Sequence, residues 1–506
     1  MEASRTWALR TPDFVRLHAS ARPEAAALID AETGRRLSYR ELDRSIAAAV
    51  TMLRQLGVDK GARIATLTRN SPESVILQLA CARLGAILAP LNWRLSAPEL
   101  RVLIADCEPA LLIQDASLDM LGPMAVETLD AGEVAARIAG AEPSVTEPTD
   151  ADLPSLMLYT SGTSGTPKGV LLTEANLLAT AVNFTVLGEV SARSVFLVDT
   201  PMFHIIGMVT NVRPALMNGG TIIISSGFDP ERTLGRLADP TLGITHYFGV
   251  PQMAEALRNA SNFDPGRLRH LTAIFTGGAP NPAAKIREWI ADGIPIVDGY
   301  GMTEAGTVLG MPLSLPIIAR KAGSAGLLAP TVERRIARDD GADCAPGEVG
   351  ELLLRGPNIC AGYWRKPEET ARAFTPDGFF KTGDLASEDE DGFYRLVDRK
   401  KDMYISGGEN IYPAEVEAVL KSHPGIAEAA VLSVPDALWG EVGHAFLLKR
   451  PGSSCDEAAV RATCEAGLAR YKLPKRIVFV KHIPRTGSGK IIKSELRILV
   501  GLDRGD

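Results

Sequence analysis

Residues 156–169 read LMLYTSGTSGTPKG, an apolar run that opens into five Ser/Thr hydroxyls, three glycines, a proline and one lysine. Leu156 to Tyr159 has the length and apolarity of a short buried strand. In the loop behind it, Thr160, Ser161, Thr163, Ser164 and Thr166 offer donors, and Gly162, Gly165 and Gly169 let backbone N–H groups come close to a ligand. Lys168 adds a compact positive charge, so the stretch has the chemistry of a polyanion cradle. It is not a Walker A loop. The GxxxxGK[ST] spacing is missing, and Gly169 stands where a magnesium-binding hydroxyl would follow the lysine. A metal at this cradle needs a ligand from elsewhere in the chain.

On both sides of the loop, strand-like runs alternate with helical stretches: ARIATLT with SPESVILQLACARLGA, GGTIIIS with DPERTLGRLAD, LTAIFTGG with NPAAKIREWIADG. This alternation predicts a layered α/β architecture. From about Gly347 the pattern shortens to β-like pieces, GEVGELLLRG and DGFYRLVDR, which predict a small β-rich subdomain. The charge cluster Asp398 to Asp402 precedes a new order of turn, helix (PAEVEAVLKSH) and strand (AEAAVLSVP), and a domain boundary is placed there.

At 506 residues the chain exceeds what a single core usually organises. Its 46% hydrophobic and 23% charged residues are globular in balance, and no run is apolar enough to span a bilayer. The first residues, MEASRTWALRTPDFVRL, lack the apolar core of a secretory signal, so a cytoplasmic protein is expected. Six scattered cysteines suggest reduced thiols and not a zinc or disulfide framework. With 54 basic against 61 acidic residues, net charge −7, a nucleic-acid partner is not expected, and the partners should be small molecules. Peripheral membrane contact and the choice of monomer or homodimer stay open.

By its length and order, LMLYTSGTSGTPKG resembles the phosphate loop of the adenylate-forming superfamily, which includes acyl-CoA synthetases, luciferases and peptide-synthetase adenylation domains. Other motifs similar to that superfamily's occur in order over nearly the whole chain. The resemblance implies a large multi-lobed N-terminal AMP-binding and acyl-binding domain over 1–398, with two α/β sheet lobes and a β-rich subdomain. It further implies a hinge at 399–402 and a small mobile α+β C-terminal lid over 403–506, with ATP, Mg²⁺ and CoA as cofactor and co-substrates.

PMFHIIG, 201–207, carries a lone histidine of the kind that is usually a satisfied core residue; the resemblance makes His204 a gate between acyl pocket and thiol entry. FTGGAP, 275–280, resembles the turn that lines both the adenine and acyl sites, through Gly277, Gly278, Ala279 and Pro280. In DGYGMTEAG, 298–306, the resemblance gives Tyr300 to adenine stacking, Thr303 to phosphate and Glu304 to magnesium. Asp298, Gly299, Gly301 and Met302 complete that nucleotide wall, and Thr160 is the second candidate metal ligand. FKTGD ends on Asp384, similar to a ribose-binding aspartate, with Arg399 as a second ribose contact and Lys401 at the hinge. PRTGSGKI supplies Lys490 as the catalytic lysine, while Gly407, Gly408, Glu409, Trp439 and Lys472 are expected on the CoA side.

A carboxylate is a poor acyl donor, and transfer of AMP onto it creates a good leaving group. Bringing it to an anionic α-phosphate requires positive charge, which Lys490, Lys168, loop amides and a magnesium on Glu304 would supply. A thiol then attacks the mixed anhydride and AMP departs. The SGGENIYPAE and ARYKLPK segments look most like those of fatty-acyl and aryl-CoA ligases, so CoA is the expected acceptor. Acyl-pocket candidates are Met208, Asn211, Val212, Phe248, Gly249, Val250 and Val308, together with Gly277, Ala279, Gly301 and Met302. Most are apolar, favouring a hydrophobic acid; Arg213 is the residue that could pair a second carboxylate. Overall similarity favours a medium- to long-chain fatty acid, with aryl, sterol-side-chain or terpenoid acids as alternatives. A luciferase-type oxygenase and a silent adenylate-binding protein are the rival classes.

Overall fold

The computed structural model describes residues 12–118, 121–122, 124–144, 150–160, 167–279, 281–406, 409–436, 438–485 and 491–502. Of the expected site residues, Ser161, Gly162, Thr163, Ser164, Gly165, Thr166, Pro280, Gly407, Gly408 and Lys490 lie outside them.

Contacts divide the chain into two compact units, Met1–Glu333 with Leu354–Phe380, and Arg334–Leu353 with Lys381–Asp506. The first unit carries two sheets. One runs in the order Gly362–Tyr363, Lys168–Thr173, Pro154–Thr160, Ile87–Pro90, Arg63–Leu67, Leu111–Gln114, Glu127–Asp130, and its centre is parallel. The other has nine strands, with Ile296–Met302, Ala273–Thr276, His246–Gly249, Val195–Val198 and Thr221–Ile224 adjacent in that order. Its strand order reverses beside Val195–Val198, because the next strand, Thr221–Ile224, joins one side and His246–Gly249 the other. Such a switch point opens a crevice at the carboxyl ends of the strands. PMFH and GGA come after carboxyl ends there, and FGV is the carboxyl end of His246–Gly249 with the residue that follows it.

The helical stretches form where their stop and start signals lie. Ser71 precedes the helix Pro72–Leu84, with proline in its first turn, and Gly85 ends it in the left-handed conformation (φ 75°). The helix Glu174–Leu187 starts from Thr173 and Asn176, which cap each other's backbone N–H groups. The Asn176 amide also donates to the carbonyls of Pro357 (2.9 Å) and Ile359 (2.7 Å), so this cap anchors the segment before the strand Gly362–Tyr363.

The second unit holds a four-stranded sheet, Glu333–Ala337, Gly350–Arg355, Phe380–Glu388 and Tyr394–Arg399, almost wholly its own. It also holds a five-stranded sheet in which Ile426–Asp436 pairs antiparallel with Gly440–Lys449. Val416, Leu420, Val431, Leu447 and Val460 form the apolar core against that sheet. The β-rich piece expected on the N-terminal side of residue 399 clusters with the C-terminal part, and Asp398 on its last strand accepts from the Ala414 N–H of that part. No helix among the described residues is long and apolar enough to cross a membrane.

Candidate active site

The opening motif folds as a β-hairpin. Pro154–Thr160 pairs antiparallel with Lys168–Thr173, and the register sets Thr160 opposite Lys168 at the mouth of the loop. The segments on either side of the loop are both strands, where a Walker A loop runs from a strand into a helix, so the two differ in flanking structure as well as in spacing. Lys168 is ion-paired with Glu369, and its ammonium stands 5.0 Å from the centroid of the Tyr363 ring. Pairing with Lys168 holds the Glu369 carboxyl below its ordinary range.

DGYGMTEAG is a second hairpin, Ile296–Met302 against Gly306–Gly310, with Thr303 to Ala305 in its turn. A Cβ on Gly301 would stand 2.2 Å from the Gly306 carbonyl oxygen, so the pairing tolerates no side chain there. Glu304 is buried in the turn. Its carboxylate accepts from the Tyr363 hydroxyl at 3.1 Å, and its carbonyl accepts from the Cys360 N–H at 2.8 Å. The Tyr363 phenol is pushed far above its ordinary range, chiefly by burial and then by the Glu304 charge, so it stays a donor. Glu304 and Lys168, far apart in the chain, thus meet on opposite aspects of one tyrosine. Tyr300 carries its hydroxyl 3.7 Å from the Met302 sulfur.

Asp298 sits deeper. Its carboxylate lies 3.1 Å from Thr276 Oγ1 and 3.4 Å from the Asn281 backbone N, which brackets the GGA turn from both ends. Burial pushes its carboxyl up to about 7, against the hydrogen bonds from Thr276, Asn281 and Gly299. Expected as a nucleotide contact, Asp298 is placed as the clamp of the turn that carries Gly277, Gly278 and Ala279.

His204 is half-buried, its ring tilted against Phe203 at 4.6 Å, and it leads into a π-helical turn at Ile206–Thr210. Single π-turns of this kind concentrate at functional sites. Asn211 is fully buried and donates to Thr200 Oγ1 at 3.1 Å, so it is part of the wall's framework. Met208, Val212 and Val308 are buried apolar residues; Phe248 and Val250 are only partly covered. Arg213 makes a correction. Its guanidinium binds both Glu174 oxygens, at 2.9 and 2.8 Å, and Gln78 at 2.7 Å, so it is committed to a structural network and does not offer itself to a second substrate carboxylate.

In the second unit, Asp384 and Arg399 are direct cross-strand partners joined at 2.6 Å, which brings the two ribose candidates together. Lys401 is exposed. Asp398 accepts from the N–H groups of Arg399 and Ala414, both at 2.7 Å, and so ties the segment before Lys401 to the start of the helix Pro413–Ser422. Glu409 and Gly440, the neighbour of the half-exposed Trp439, both pair with Ser406, which sets the CoA-side candidates at one end of a sheet. Lys472 donates to both oxygens of Glu415 at 2.7 Å, a partner that the sequence did not predict. Tyr363 and Glu369 are likewise absent from the expected set; the stretch GYWRKPEE, with two aromatics and two acids beside a glycine, is the signal that could have pointed to them.

The chain belongs to the AMP-binding enzyme family: residues 15–364 match it, and residues 415–490 match the AMP-binding enzyme C-terminal domain. It is 40% identical to a feruloyl-CoA synthase of Amycolatopsis sp. over 473 residues, covering 92% of this chain and 94% of that one. It is 35% identical to a long-chain-fatty-acid–CoA ligase of Mycobacterium tuberculosis, covering 96% of this chain and 97% of that one. Its fold is similar to that of O-succinylbenzoate coenzyme A synthetase from Bacillus subtilis in complex with ATP and magnesium, with TM-score 0.85, 31% identity, and 96% and 99% of the two chains covered. The protein is an AMP-forming acid–CoA ligase that uses ATP, Mg²⁺ and CoA.

Magnesium fits the residues present. Among the described residues no cluster of three or more His, Cys, Asp or Glu could hold a metal by itself. One buried carboxylate, Glu304, near a lysine-bearing phosphate hairpin, is the donor set of an ion that takes most of its ligands from phosphate and water.

Proposed function

We propose that this ligase activates a planar aromatic carboxylic acid, and that the wall formed by Phe248 carries the choice. Phe248 packs flush on Gly277, where an added Cβ would stand 3.2 Å from its ring. Behind it, Phe184 stacks at 5.7 Å and 20°, and Phe275 lies 6.1 Å away, so the ring is held from the rear by other rings. Beside it, Ile206 and Val250 flank Gly278 at about van der Waals distance from where its Cβ would be. A flat glycine backbone next to a fixed aromatic ring suits a planar ring, whose stacking adds about 0.5–1.5 kcal/mol beyond burial. A long alkyl chain would need room past Phe248. The relative of higher identity, the feruloyl-CoA synthase, bears an aryl name; the fatty-acid alternative keeps the support of the mycobacterial relative.

In this reading the carboxylate attacks the α-phosphate of ATP, pyrophosphate leaves toward Lys168 and the hairpin amides, and the acyl-AMP anhydride remains. Bound magnesium would supply charge neutralisation of the phosphates at Glu304. Tyr300 stacks on adenine, Thr303 contacts phosphate, and the paired Asp384 and Arg399 take the ribose. Lys490 serves the adenylation step, the residues around Glu409 and Trp439 serve the thiol step, and 399–402 is the hinge that exchanges them. We place the enzyme in the cytoplasm, a location supported by six free cysteines and by ATP and CoA as co-substrates.

Purified protein should convert cinnamate-type and phenylalkanoate acids with kcat/KM at least tenfold above those for C10–C16 fatty acids. Phe248→Ala should narrow that ratio by admitting longer chains. A wild-type preference for the alkyl acids, or an unchanged ratio in the variant, would remove Phe248 as the determinant.

A further inference from the structure

We propose that Tyr363 is a positioning residue that registers the magnesium-binding carboxylate of Glu304 against the phosphate-binding ammonium of Lys168. The proposal rests on the assignment of Glu304 to magnesium and of Lys168 to phosphate. Tyr363 sits on the two-residue strand Gly362–Tyr363, opposite Val170 and hence two residues along the strand that Lys168 begins. Its hydroxyl donates to Glu304 Oε1 at 3.1 Å, and its ring face receives the Lys168 ammonium at 5.0 Å. One side chain thus addresses the two opposite charges that a magnesium-bound pyrophosphate would meet. Neither contact alone is strong, but together they remove torsional freedom from two groups whose separation must match a fixed ligand.

The backbone supports this assignment. The Cys360 N–H donates to the Glu304 carbonyl at 2.8 Å and the Asn358 amide donates to the Ala305 carbonyl at 2.7 Å, so the segment leading to Tyr363 and the turn bearing Glu304 are fastened independently of the tyrosine hydroxyl. Removal of that hydroxyl should therefore loosen the carboxylate and leave the turn in place.

The test is equilibrium binding of ATP to the full chain by calorimetry, with Mg²⁺ and separately in EDTA, for Tyr363→Phe, Tyr363→Leu and Glu304→Gln. Tyr363→Phe keeps the ring for Lys168 and loses the donor to Glu304. It should weaken MgATP binding about fivefold and leave binding in EDTA unchanged. Tyr363→Leu should weaken both. The half-saturating Mg²⁺ concentration for pyrophosphate release should rise in Tyr363→Phe, with KM for acid and CoA unaltered, a split that a general loss of stability would not produce. Equal weakening with and without Mg²⁺, or no weakening, overturns the proposal while Glu304→Gln still loses its magnesium response. If Glu304→Gln keeps that response, the reading of the metal site fails, and the proposal fails with it.

Discussion

Asp298 is half-buried beside Thr276, and desolvation pushes its carboxyl from an ordinary 3.8 up to about 7. An acid that holds its proton more tightly when folded contributes most to stability below the unfolded value, and that contribution declines as pH rises to about 7. Asp298→Asn removes the titration. The melting temperature of the variant minus that of the wild type should thus be more positive at pH 8 than at pH 5; a difference independent of pH would contradict the assignment. Arg213 gives a second prediction at this scale. Its loss would strand the buried Glu174 carboxylate, so Arg213→Ala should cost about 3–5 kcal/mol in denaturant unfolding. Selectivity between mono- and dicarboxylic acids should not change. The roles of Arg213 and Tyr363 were not legible in the sequence because each is set by partners far along the chain, Glu174 and Gln78 for one, Glu304 and Lys168 for the other. No local period or spacing encodes such a pairing.

At the scale of elements, the two hairpins carry the phosphate and metal candidates, and the second depends on close backbone approach at Gly301. Gly301→Ala would drive a methyl to within 2.2 Å of the Gly306 oxygen, and relief requires the pair to separate. The expected outcome is a destabilisation of about 2–3 kcal/mol or more, with ATP binding lost before the fold is, measured by calorimetry alongside thermal unfolding. Retained MgATP affinity would show that the hairpin does not position Glu304. These elements were largely legible: LMLYT and the later apolar runs form strands, and the stretch after Ser71 forms a helix ended by Gly85. That the two strands flanking the loop pair antiparallel became apparent only from the register of Thr160 with Lys168, since an apolar run such as KGVLLT specifies neither its partner nor the sense of pairing. The β-rich piece was recognised as such, but its clustering with the C-terminal part was not, because that rests on contacts such as the Ala414 N–H to Asp398, which no local pattern encodes.

For the molecule as a whole, the proposed division of labour places Lys490 in the first half-reaction alone. Lys490→Ala should reduce pyrophosphate release from acid and ATP by at least a hundredfold while thioester formation from supplied acyl-AMP stays within a few fold. Loss of both halves would mean that the lysine supports the fold or the hinge and not the adenylation centre. The order of motifs made the enzyme class legible over nearly the whole chain. The acid was not legible, since the proposed wall depends on how Phe184, Phe248 and Phe275 stack, and these rings come from three separated segments. The most direct measurement is therefore a panel of aromatic and C10–C16 alkyl acids, each given ATP, Mg²⁺ and CoA, with AMP and acyl-CoA quantified together. Equimolar AMP and aryl-CoA, formed at least tenfold faster per unit concentration than any alkyl-CoA, is the expected result; alkyl acids turned over faster, or AMP released with no thioester from any acid, would contradict it.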